Sequence, residues 1–154
     1  MTEHGDPGKG VIDADFALWR FLDHTRYMIF RQRERELSGL GVTPEQAHVL
    51  DILRASRGIT TINEIVRMTQ LRHHSISTLI DRMSKQGLVT KVRDKQDKRA
   101  FQIVLTDKGS ELLSRIPVES VKKAFACLSD EEKGQLRSCL EQLLAHAYDL
   151  SIEQ

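Results

Sequence analysis

The stretch LRHHSISTLIDRMSKQGLVTKVRDKQDKRAFQIVLTDKG, residues 71–109, changes its hydrophobic period partway along. In its first part Ile76, Leu79, Ile80 and Met83 recur at i, i+3, i+4 and i+7, the spacing of one helix face. That spacing predicts a helix from about Arg72 to Gln86, with Gly87 as its natural C-terminal stop. Beyond Gly87 the pattern becomes that of strands. Leu88-Val89-Thr90-Lys91-Val92 alternates, and Phe101-Gln102-Ile103-Val104-Leu105 does so less regularly. Two strands around the charged loop Arg93 to Arg99 read as a β-hairpin. The loop has no Asn-Gly or Asp-Gly pair, so it is not a minimal two-residue turn but a long basic wing.

Upstream, Thr43-Pro44-Glu45-Gln46 is a helix start: a Thr cap, Pro at the first helical position, and a Gln placed to close a capping box. This helix runs to about Ser56, with Ala47, Leu50 and Leu53 on one face, and Gly58 breaks it. Thr60 or Thr61 caps a short helix with Ile62, Ile65 and Val66 inward, followed by a tight turn at Thr69-Gln70. Downstream, Thr106 caps a helix from Asp107 to about Ala126, which Pro117 kinks or breaks. Ser129-Asp130-Glu131-Glu132 opens a last helix to about Leu150, striped by Leu136, Leu140, Leu143, Leu144 and Ala147.

The helix from Asp13 to Leu37, ended by Gly39 and Gly41, is of another kind. Nine of the fifteen residues from Phe16 to Phe30 are large and apolar or aromatic. A helix apolar most of the way round is buried on several sides, and so short a chain has little to bury it with. A second copy is the simplest supply. The expected architecture is mainly α with a small β-hairpin wing. A polar tail, residues 1–12, precedes a winged helix-turn-helix core at 39–106, which is flanked by dimerisation helices at 13–38 and 107–150.

Bulk composition fits a soluble globular chain: 154 residues, 40% hydrophobic and 29% charged. No apolar run approaches the roughly 18 residues of a membrane span, and Met1 to Gly10 does not read as a signal peptide. Two cysteines make no disulfide framework, so the expected compartment is the cytoplasm. The net charge of +1 conceals an asymmetry. Arg72 to Arg99 holds eight Lys or Arg against three Asp, whereas Asp107 to Gln154 holds six against nine acids. A basic segment of this kind points to a polyanionic partner.

The major groove of DNA admits one α-helix, whose N-terminal residues meet base edges. Arg72, His73, His74, Ser75, Ser77 and Thr78 are donors and acceptors opposite the apolar face of the predicted helix. Taken alone, they also describe an ordinary solvated face; the basic wing that follows tips the balance. In the wing, Lys95, Lys98 and Arg99 are cationic, and Arg side chains favour narrow minor grooves. Asp97 is spaced to orient Arg99, although the same pair would serve as a surface ion bridge.

These motifs together resemble the MarR family of bacterial regulators. The matching residues are Leu71, Ser77-Thr78-Leu79-Ile80-Asp81-Arg82-Met83, Gly87-Leu88-Val89, Asp97-Lys98-Arg99 and Leu105-Thr106-Asp107-Lys108-Gly109. The likeness spans roughly Asp13 to Leu150. It implies a triangular homodimer built by the first and last helices, with paired winged helices on a pseudo-palindromic operator. It also implies that the regulator usually represses and is released by a small ligand or an oxidant. Ser77 and Thr78 match groove-facing positions, Asp97 and Arg99 the wing pair, and Asp81 and Arg82 the polar end of the helix. Two features depart from the pattern: Thr69-Gln70 stands where a leucine and a small residue are usual, and Arg72-His73-His74 is an unusual helix start.

The redox branch of that family carries a reactive cysteine near the start of the first helix, and this chain has none there. Cys127 and Cys139, near and within the last helix, read first as packing residues. No cofactor is expected. His73 and His74 are adjacent in a helix and point about 100° apart, and neither C-x-x-C nor H-E-x-x-H occurs, so a metal is not expected either. A small organic effector, in the family often an aromatic carboxylate or phenol, fits better. Trp19, His24, Tyr27, Arg31 and His48 are its candidate lining, with dimer core the competing role for Trp19 and Tyr27. Redox- or metal-responsive regulation on the same fold, or a winged-helix protein-interaction module, are the alternatives. No nucleophile–base pair or ligand triad suggests an enzyme.

Overall fold

The computed structural model describes residues 13–97 and 100–152. Helix α1, Ala14–Ser38, starts where the Asp13 carboxylate accepts from the backbone N–H of Asp15 and Phe16 at 2.9 and 3.0 Å. It runs into a turn in which Gly41 takes φ +66°, a conformation glycine adopts without strain. Helix α2, Pro44–Ala55, opens on the predicted capping box: Thr43 Oγ1 accepts from Gln46 N, and Gln46 Oε1 accepts from Thr43 N. Helix α3, Ile62–Thr69, is capped by Thr61. Helix α4, His73–Lys85, follows a turn through Gln70 at φ 58°.

Strands Val89–Arg93 and Phe101–Leu105 form the expected hairpin. The sheet also has a third strand that the sequence pattern does not announce, Ile59–Thr61. Numbered in chain order, Ile59–Thr61 is β1, Val89–Arg93 is β2 and Phe101–Leu105 is β3, lying β1-β3-β2 and all antiparallel. Thr60 pairs with Ile103 across it. Three residues are too few to show an alternation, and the Thr pair that signalled a helix cap also supplies the strand. Arg57 and Gly58, both at positive φ, turn the chain from α2 into β1.

The core lies between these elements. Ile76, Leu79, Ile80 and Met83 of α4 are all buried, as the spacing predicts. They pack with Val49, Leu50, Ile52 and Leu53 of α2, Ile65 of α3, and Leu88, Val89 and Ile103. Helix α5, Asp107–Arg115, is capped by Thr106 and lays Leu112 and Leu113 on that core. The predicted break at Pro117 is real: the helix expected to reach Ala126 is α5 followed by α6, Glu119–Phe125. A smaller cluster of Leu37, Val42 and Ala47 ties the end of α1 to α2. Arg33 of α1 donates to the Pro117 carbonyl and pairs with Glu36.

Contacts divide the chain after Pro117. In the second unit, α7, Asp130–Ile152, opens on the reciprocal bonds of Ser129 and Glu132, and none of its residues is buried. In the first unit, α1 exposes Phe16, Leu18, Trp19, Phe21, Leu22, Tyr27 and Met28. Among the described residues no helix is long and apolar enough to cross a membrane.

Candidate nucleic-acid interface

Helix α4 is held rigidly from behind and from its C-terminal end. Its four apolar residues are locked in the core. Asp81 forms an ion pair with Lys91 of β2, and that pairing holds the Asp81 carboxyl below its ordinary pKa. Gln86 caps the end, with its side-chain Oε1 accepting from Gln46 Nε2 at 2.9 Å and its carbonyl accepting from Lys108 Nζ at 2.7 Å. Thr106 Oγ1 reaches the carbonyls of Gly87 and Leu88 at 2.6 and 3.0 Å. These contacts explain the Thr106-Asp107-Lys108-Gly109 run: it clamps the end of α4 and the start of β2 to α5.

The opposite face of α4 is open. Arg72 is the N-cap residue, with extended backbone and no side-chain cap bond. Arg72, His73, His74, Ser75, Thr78 and Arg82 are exposed and Ser77 is half-buried. The face is internally organised. His73 Nδ1 lies 3.5 Å from Ser77 Oγ, and Thr78 Oγ1 donates to the His74 carbonyl at 3.0 Å. Because its hydroxyl proton is already engaged, Thr78 presents lone pairs and a methyl group outward. Those suit an exocyclic amine or a thymine methyl rather than a guanine acceptor.

In the wing, Lys95 and Asp97 are exposed, and Lys98 and Arg99 lie outside the described residues. The approach to the tip is organised by a residue the sequence reading passes over. The Asp94 carboxylate accepts from the backbone N–H of Gln96 and Asp97 at 2.7 and 3.2 Å and from Gln102 Nε2 at 2.8 Å. Asp followed by polar turn residues is the signal that would have found it. The Gln96 and Asp97 amide bonds, with Gln102, hold the Asp94 pKa below its ordinary 3.8. A carboxyl whose pKa falls on folding orders the loop above its unfolded value, and that order is lost as pH drops through the lower folded value. Asp94→Ala should therefore lower the exchange protection of the Gln96 and Asp97 amides by about tenfold relative to the wild type at the same neutral pH, the order expected for losing one hydrogen bond. Acidification of the wild type should lower their protection factors in the same way once the intrinsic pH dependence of exchange is divided out. Unchanged exchange in the variant would mean the loop is ordered by something else.

The candidate effector residues divide. Trp19, His24 and Tyr27 share one surface of α1 with Phe16, Arg20 and Phe21. Arg31 sits 5.9 Å above the Tyr27 ring and donates to its hydroxyl at 3.3 Å. His48 is exposed on α2 and is not part of that surface. Cys127 and Cys139 are exposed in the single chain rather than packed. Among the described residues no group of His, Cys, Asp or Glu is arranged to hold a metal ion.

A three-helix core, a helix presented on its rigid face and a hairpin beside it define a winged helix-turn-helix DNA-binding protein. A model of the MarR family matches residues 40–100. An uncharacterised HTH-type transcriptional regulator of Bacillus subtilis, YkoM, is 31% identical over 142 residues, covering 90% of this chain and 92% of its own length. The chain belongs to the MarR family of transcriptional regulators, a family of DNA-binding proteins and not of enzymes. An organohalide-sensing transcriptional regulator, solved with 2,4-dichlorophenol bound, superimposes with a TM-score of 0.84 at 26% identity, over 97% of this chain and 92% of that one. A mutant of Escherichia coli MarR in complex with operator DNA shares the fold, with a TM-score of 0.80 at 20% identity over 88% and 99% of the two chains.

Proposed function

We propose that the protein is a homodimeric, effector-responsive repressor that binds a pseudo-palindromic operator. Residues 39–106 carry the DNA contacts, with α4 in the major groove and the wing, through Lys95, Lys98 and Arg99, on the minor groove or its phosphates. The helices on either side, in 13–38 and 107–150, form the dimer. The observation that carries the reading is the two-faced α4: four side chains locked in the core and a continuous polar face directed to solvent. The apolar half of α1, left exposed by the described residues, supports a dimer, since a second copy would cover it. Half-sites one turn apart, about 34–36 Å, suit two such helices. The cytoplasm is the compartment this reading implies.

Support for a small organic effector comes from the Trp19, His24 and Tyr27 surface and from the dichlorophenol held by a structural relative. An effector shifts the equilibrium only if it binds the DNA-free arrangement more tightly than the bound one.

Base contacts specify and phosphate contacts position. Selection of bound sites from a random DNA pool, run with the wild type and with a Ser75→Ala, Ser77→Ala, Thr78→Ala variant, tests the reading. The wild type should yield an inverted repeat. The variant should lose preference at the inner positions by about 1–3 kcal/mol per lost contact. The same motif from both proteins would show that α4 does not read bases.

A further inference from the structure

We infer that His73 and His74 engage operator DNA in their protonated form, so that operator binding takes up protons and strengthens as pH falls through the imidazole range. The inference rests on the proposed role of α4 in the major groove. Both rings stand on the exposed first turn of that helix, the part that meets the duplex first. No acidic residue lies in that turn.

Of the acidic groups on α4 and on the elements packed against it, Asp81 pairs with Lys91 of β2, Glu64 with Arg67 on α3 and Asp51 with Arg54 on α2, while Glu45 stands in the first turn of α2. Arg72, Arg82, Lys85 and Arg93 are positive, and His48 is a further imidazole on α2. Among the described residues neither ring has a carboxylate partner to hold an imidazolium. DNA supplies anions at high density, about one phosphate charge per 1.7 Å of helix axis.

The His73–Ser77 contact adds direction. With Nδ1 facing Ser77 Oγ at 3.5 Å, Nε2 is the nitrogen left to meet the DNA. In the imidazolium Nδ1 donates to the serine oxygen and Nε2 donates outward, to a phosphate or to a guanine O6 or N7. In the neutral ring the Ser77 hydroxyl can donate to Nδ1 while Nε2–H still points outward; in the imidazolium Ser77 becomes the acceptor and its own proton is freed for the DNA. Protonation thus adds a positive charge and a hydroxyl donor to the face.

Only His changes charge between about pH 5 and 8 without perturbation, so the effect is separable from every carboxylate and lysine on the face. Each imidazole that gains a proton on binding steepens the pH dependence of affinity by up to about tenfold per pH unit within its titration range. The test uses the full chain and the inverted repeat recovered by site selection, with affinity measured by fluorescence anisotropy at constant ionic strength from pH 5.5 to 8.5. Wild type should bind about tenfold or more tightly at pH 6 than at pH 8. His73→Gln with His74→Gln should keep measurable binding and flatten that profile, and each single variant should remove part of it. A control variant, His4→Gln in the N-terminal tail, should leave the profile unchanged. Parallel profiles for the wild type and the His73/His74 variant overturn the inference while leaving α4 as the DNA-reading helix. Failure of the wild type to select or bind any DNA overturns the reading beneath it and the inference with it.

Discussion

Gly109→Ala is expected to lower the unfolding free energy by about 3 kcal/mol, although Ala normally stabilises a helix relative to Gly by roughly 1 kcal/mol. Gly109 lies in the first turn of α5, where the helix crosses the chain entering β2. A Cβ there would stand 2.1 Å from the Leu88 carbonyl oxygen and 2.8 Å from Leu105 Cδ1. The Leu88 oxygen cannot retreat freely, because it accepts from the Thr106 N–H at 3.2 Å and from the Thr106 hydroxyl at 3.0 Å. Relieving the overlap means moving α5 off the sheet, which breaks those bonds and opens the core beneath Leu112. Thermal unfolding at fixed protein concentration should show a midpoint lowered by roughly 6–12 °C. Gly134→Ala is the internal control: it lies in α7 with nothing within 4 Å of the added methyl, and it should raise stability slightly. A Gly109→Ala protein as stable as that control would show that α5 does not approach Leu88 so closely.

Phe21→Asp combined with Leu22→Asp is expected to convert the proposed dimer into a monomer and to weaken operator binding by about a hundredfold or more. Phe21 is 76% exposed in the single chain, and neither side chain belongs to a core cluster, so the winged unit should fold normally. In a two-fold dimer each substitution counts twice, placing four carboxylates in an interface built from aromatic and aliphatic side chains. Loss of the second half-site removes the gain from linked binding, which commonly amounts to about 10²–10⁴. Sedimentation at micromolar concentration reads the assembly state directly. The chain's single tryptophan, Trp19, lies on the same helix, so its emission should shift to the red in the variant. A wild type that sediments as a monomer, or a variant that remains dimeric, would remove α1 from the dimer interface.

The local elements of this protein are legible from the chain because each is set by neighbours a few residues apart. Thr43-Pro44-Glu45-Gln46 closes its own capping box, Ile76, Leu79, Ile80 and Met83 define a face by spacing alone, and Gly87 ends α4 in a conformation few other residues accept. Pro117 breaks its helix for a reason contained in its own ring. The family's motifs were legible for the same cause, as was the polar face of α4.

What the tertiary structure alone decided depends on residues far apart in sequence. Strand β1 exists because Thr60 meets Ile103, 43 positions later, and three residues carry no periodicity to announce it. The demand for glycine at 109 arises from Leu88 across the fold, and the end of α4 is held by Gln46 and Lys108 from two other helices. The Asp94 knot needs Gln102 from the returning strand. The effector candidates show the same divide: Trp19, His24 and Tyr27 share a helix and so a surface, whereas His48, on another helix, stands apart from it. Spacing along the chain determines which face a side chain occupies; only the packing of one element on another determines what that face meets.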